Sequence, residues 1–226
     1  MEPKQYKPGV GPTKSLNLRV SVACLVKVLY KNPLNGRIML VLERTATLRK
    51  DESKSVVTVK AKPFGGGVRI LRPQSLRELI GEFHFDSERS REQGDFRIQI
   101  NPARWEKVKE ICQEHLKNKE KGIIDPSPVR ELQEEFEDSL GVPITSDDYC
   151  LTPRGMLVKD KLTETHNVNA RGLPTVRIYY LFEAMLKDSR MIDLIIDNNS
   201  HYSDSDLQKM ANEDARNGGR EERMLC

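Results

Sequence analysis

The chain has 226 residues, 37% hydrophobic and 31% charged, which suits a soluble globular protein of one large domain or two small ones. A net charge of +3 is too small to argue by itself for nucleic-acid or membrane binding, so no specific nucleic acid is indicated. Four scattered cysteines with no CxxC pair, and four dispersed histidines, speak against a disulfide framework or a zinc site.

Residues 1–15 read as a flexible lead-in, with Pro3, Pro8, Gly9, Gly11 and Pro12 and no apolar centre of a secretory signal. A reducing cytoplasm is the default compartment. "LNLRVSVACLVKVLY" reads as a strand. It is too short for a membrane span and carries Lys27. "KNPLNG" is a turn, and "RIMLVLERT" closes a hairpin. "SVVTVKAKP" is a third strand, followed by the triple glycine of "FGGGVRI".

Beyond it, "SLRELIGEF" opens on a capping box, Ser75 with Glu78. "DFRIQI" alternates like a short strand. The spacing of Trp105, Val108, Ile111, Cys112 and Leu116 predicts an amphipathic helix over 101–121, stopped at Gly122. Trp105 is most simply a core residue of that helix.

The next stretch, "PVRELQEEFEDSLGV", reads as a helix with Asp125 or Ser127 as N-cap and Pro126 or Pro128 in its first turn. On a helical wheel Val129, Leu132, Phe136 and Leu140 form one side, and Glu131, Glu134, Glu135 and Asp138 the other. Glu131, Glu134 and Glu135 stand at i, i+3 and i+4, where like charges repel and where their carboxylates can converge. A hard divalent cation such as Mg²⁺ relieves that repulsion. A plain solvated acidic face is the other reading of the same spacing. "YCLTPRGMLVKD" and "PTVRIYYLFEAML" read as strands, "MIDLIID" is ambiguous, and 198–226 is a polar tail. Mixed strands and helices predict an α/β or α+β sandwich.

"RELQEE" also carries a resemblance. Arg130, Glu131, Leu132, Glu134 and Glu135 match the core of the Nudix box. Around it, "RIMLVLERT", "KPFGGGVRI", "GVPI" and "RIYYLFEAML" resemble the elements that flank that box in the Nudix hydrolase superfamily, in the same order over 18–187. Two positions depart from the pattern: Glu137 stands where the box has a glycine, and the first box glutamate has no aligned partner. Gly67 and Arg130 lie 63 positions apart, about 49 more than the motif allows.

The resemblance implies a Nudix-type α/β/α sandwich over 16–197, with a mixed sheet and an inserted helical subdomain at 72–122. The insert would form a lid or a dimer surface, and deletion of 73–121 would change specificity while the fold survives. The implied activity is Mg²⁺- or Mn²⁺-dependent pyrophosphate hydrolysis in a nucleoside diphosphate linked to another moiety. The alternative is a Nudix-fold module that binds such a ligand without turnover. Glu131, Glu134 and Glu135 would hold the metal, Arg130 would orient them, and Gly66 and Gly67 would shape the loop. Asp160, Glu164, Glu183 and His166 are candidates for an additional base. Arg44, Arg69, Arg154 and Arg177 are candidates for phosphate contacts. Analogy adds a homodimer and no membrane partner.

Overall fold

The computed structural model describes residues 18–50, 55–118, 122–163, 172–201 and 222–225. Strand β1 (Leu18–Lys31) is its axis. Val20, Val22, Cys24, Val26 and Val28 recur every second residue and are all fully buried, so this face of β1 is core. A turn at Asn32–Arg37, held by Asn32 and Asn35 side chains accepting backbone N–H groups, leads to β2 (Ile38–Val41). Then come β3 (Glu43–Lys50), β4 (Ser55–Lys62), β5 (Phe64–Gly67) and β6 (Arg69–Ile70).

Helix α1 (Pro73–Ile80) starts on Pro73 with Arg72 as N-cap and no capping side chain. The expected capping box therefore does not form: Pro73 opens the helix, which places Ser75 inside it. Next follow β7 (Phe83–Phe85), α2 (Glu88–Gln93), β8 (Arg97–Ile100) and, after a 3₁₀ turn at Pro102–Arg104, α3 (Trp105–Asn118). The chain continues through β9 (Ile124–Asp125), α4 (Pro128–Leu140), β10 (Tyr149–Thr163), β11 (Thr175–Leu186), α5 (Ser189–His201) and β12 (Glu222–Leu225). "MIDLIID" is thus helical, burying Met191, Ile192 and Ile195. The last strand pairs with β3, so the end of the expected tail belongs to a sheet. The lead-in 1–15 lies outside the described residues.

The fold is α+β with a mixed sheet. One edge of β1 pairs in parallel with β11, and β10 lies antiparallel beyond it. The other edge is shared by three short antiparallel strands: β8 on Leu18–Ser21, β5 on Ala23–Val26 and β2 on Val28–Lys31. Strand β7 extends the sheet past β8. A second sheet has the order β12-β3-β4.

The segment 72–122, expected as an inserted helical subdomain, is joined to the central sheet. The segment supplies β7 and β8 to the central sheet and buries Leu76, Ile80, Phe96, Ile98, Ile100 and Val108 in the common core. The physical cause is the length of β1. Strand β5 covers only its middle, and the remaining edge N–H and C=O groups need a partner. A buried ion pair fastens the same junction. Arg19 of β1 donates to Asp86 at 2.8 Å, and the Ser90 hydroxyl donates to the other Asp86 oxygen at 2.7 Å.

Candidate functional site

The two halves of the sequence motif meet through a small ribbon. Strand β6 pairs with β9, with Ile70 opposite Ile124 and Arg69 opposite Asp125. The chain leaves the glycine turn at Ile70 and returns beside it at Ile124, so 63 positions of sequence separation close to one contact: an Arg130 Nη donates to the Gly67 carbonyl at 3.1 Å.

Local chemistry fixes where α4 begins. Asp125 accepts the Ser127 N–H at 3.0 Å, Ser127 takes a left-handed conformation at φ 35°, and Pro128 occupies the first helical position. Gly141, at φ 65°, ends the helix and donates its N–H to the Glu137 carbonyl. Phe136 stacks on Phe64 of β5 at 5.5 Å, which seats the helix on the glycine strand.

The buried stripe of α4 is Glu131, Leu132, Glu135 and Phe136. This corrects the helical-wheel reading. Val129 is 38% exposed, whereas Glu131 is only 4% and Glu135 only 8% exposed. Glu137 and Asp138 are exposed. The three expected ligands also do not converge. Glu134 turns outward, its side chain 53% exposed, and one Nη of Arg130 holds both of its oxygens at 3.1 Å. Among the described residues no group of three or more His, Cys, Asp or Glu side chains is arranged to hold a metal ion.

Glu131 is the centre of what is assembled. It lies 2.5 Å from Arg130 in an ion pair whose angles do not make a hydrogen bond, so its buried Oε1 has no hydrogen-bond partner. Its other oxygen rests on Gly66: a Cβ there would lie 2.0 Å from Glu131 Oε2. A side chain at 66 would therefore displace the carboxylate. Burial raises the Glu131 pKa above the ordinary carboxylate range. Arg130 pulls it back, Glu134 and Asp95 push it further up, and Arg69 lowers it. Beneath it, burial and then the Glu131 charge push the Cys24 thiol upward, so Cys24 stays protonated and unreactive.

Asp95, which sequence reasoning did not single out, lies on the opposite face of β5 from Glu131, because Gly66 and Gly67 face opposite ways. It comes from the inserted segment, is 7% exposed, and packs so closely on Gly67 that a Cβ there would lie 2.6 Å from its carboxylate. Its ion pair is with Arg97 at 3.3 Å. No spacing rule would have linked it to "RELQEE"; the only signal was the second glycine, which demands a close neighbour.

The other candidates are engaged elsewhere. Asp160 accepts the Trp105 indole N–H at 2.7 Å and pairs with Lys109 at 3.4 Å, tying β10 to α3. Trp105 is 9% exposed and lies in the core as expected. Glu183 is held by Arg154 at 2.6 Å, and its pKa is lowered by that bond and by Lys27, which suits an ion-paired acid and not a base. The Arg177 guanidinium donates to the Thr163 hydroxyl. Glu164 and His166 lie outside the described residues, as does the side chain of Arg44.

In comparisons with protein-family models, with curated proteins and with solved structures, none matches this chain. Among the described residues no helix is long and apolar enough to cross a membrane.

Proposed function

We propose that the protein is a Mg²⁺- or Mn²⁺-dependent hydrolase of the pyrophosphate bond in a nucleoside diphosphate derivative. The observation that carries this reading is Glu131: a carboxylate taken out of water, with one oxygen ion-paired to Arg130 and the other against Gly66. Burying a carboxylate is costly, and a fold keeps one where the charge has work to do.

A two-carboxylate site for a hard cation needs Glu134 to turn back from Arg130 toward Glu131. Mg²⁺ commonly takes one or two protein carboxylates and completes its shell with waters and substrate phosphates, so a cluster of three acids is not required. Glu131 and the adjoining Glu134 would hold the ion, each exchanging an Arg130 contact for it. When bound, the ion supplies neutralisation of the diphosphate and an activated water. Arg130 then acts as an orienter. Its guanidinium spans Glu131, Glu134 and the Gly67 carbonyl, and so couples helix to turn. The same proposal takes the compartment to be the cytoplasm, on the scattered cysteines.

A second reading, a module that binds such a ligand without turnover, is favoured by the separation of Glu134 from Glu131 and by Glu137 at the box glycine. Phosphate-bond cleavage over a panel of nucleoside diphosphate derivatives, with and without Mg²⁺ or Mn²⁺, separates the two. The hydrolase predicts metal-dependent turnover that a Glu134→Gln, Glu135→Gln double variant loses. Ligand binding by the folded protein with no turnover on any substrate selects the binding module.

A further inference from the structure

The face of the central sheet opposite α4 carries an ordered pattern of its own. Register partners in adjacent strands share a face, so Arg97 of β8, Ser21 of β1, Arg177 of β11 and Lys159 of β10 form one straight row. At a strand spacing of about 4.8 Å the row spans about 14 Å. The next row along the strands is Ala23, Tyr179 and Leu157, with Gly67 at its end covered by Asp95, and the one after it holds Leu25 and Leu181. Cations thus border a flat strip of small, apolar and aromatic residues.

Part of this face is open, whereas its end at Arg19 and Thr175 is buried. Here Val22, Cys24, Ile178 and Tyr180 are fully buried on one face, whereas Ser21, Ala23, Arg177, Tyr179 and Leu181 are half-exposed on the other, and Leu157 and Lys159 are exposed. The charge is also one-sided. Lys27 and Arg154 join the three cations of the row; Glu183 pairs with Lys27 and Arg154 and Asp95 with Arg97, so five cations against two acids leave an excess of three positive charges.

We infer that this sheet face binds single-stranded nucleic acid, with phosphates on the Arg97–Arg177–Lys159 row and a base on Tyr179. A row of about 14 Å is too wide for the phosphate of one nucleotide and suits a strand crossing the sheet. Lys159 now lies over the Tyr179 ring at 5.5 Å, a flexible stem that gives way to a base while its ammonium reaches a phosphate. The inference does not rest on the hydrolase reading, because Glu131 lies on the other face.

The test is fluorescence anisotropy with a labelled oligouridylate of roughly 12 nucleotides, titrated at several salt concentrations. Saturable binding is expected, and a duplex of equal length binds more weakly. Arg177→Gln with Lys159→Gln lowers the salt slope by about 1.4 for two lost phosphate contacts. Tyr179→Leu weakens binding roughly 5- to 100-fold with the slope unchanged, and Glu131→Gln binds like wild type. Absence of saturable binding overturns the inference, as does affinity untouched by these face variants in proteins that melt like wild type, or equal affinity for the duplex.

Discussion

Glu131 shows how one side chain can set the character of a site. Burial holds its folded-state pKa above the unfolded value, so across that window the folded chain binds more protons than the unfolded one. Stability then falls as pH rises from the ordinary carboxylate range through the raised pKa. Glu131→Gln removes this cost while Arg130 keeps Glu134 and the Gly67 carbonyl. The variant is expected to melt higher than wild type at neutral pH, with the gain vanishing in acid. Melting curves at several pH values check it, and a lower melting temperature at pH 7 would show that Arg130 more than offsets burial. Gly66→Ala acts on the same carboxylate from below. With a Cβ 2.0 Å from Oε2 the side chain must move, and metal affinity is expected to drop roughly 10- to 100-fold in a protein that still folds. At this scale the helix that carries "RELQEE" was legible from its spacing and its first-turn proline. Which of its acids is buried was not, because a wheel drawn on Val129 assigns the faces by hydrophobicity alone. Contact with Gly66 draws Glu131 inward, and Arg130 draws Glu134 out.

Helix α4 and strand β5 work as a pair. Leu132 and Phe136 bury fully, and the Phe64–Phe136 stack sets how α4 sits on the glycines. Phe136→Ala is expected to cost about 3–5 kcal/mol by leaving a cavity at that contact, measured by chemical denaturation. The short elements were the hardest to read. Strands β6 and β9 are two residues each, below the length at which alternation means anything, yet their pairing brings Arg130 to Gly67. "DFRIQI" was read correctly as a strand, but its partner was not, because pairing with β1 depends on an edge that only the fold leaves open. Asp86 is the check on that junction. Asp86→Ala strands the Arg19 guanidinium and the Ser90 hydroxyl in the core and is expected to cost about 3–5 kcal/mol.

At the scale of the molecule the long strands, the α3 and α4 helices and the mixed α+β character could be read from periodicity, since β1, β10, β11 and these helices are long enough to average out local exceptions. The role of 72–122 could not, because its strands look like local structure until β1 is in place. With β7 and β8 in the central sheet, deleting 73–121 is expected to abolish cooperative unfolding, where the sequence suggested changed specificity in a fold that survives. The fold brings a glycine turn, an arginine and a buried glutamate to one point. The most direct test of why is titration of Mn²⁺ into the protein, followed by its electron paramagnetic resonance signal. The account predicts saturable Mn²⁺ binding to wild type that is lost in Glu131→Gln. Mn²⁺ that stays free beside the wild-type protein, or binds the variant equally well, would contradict it.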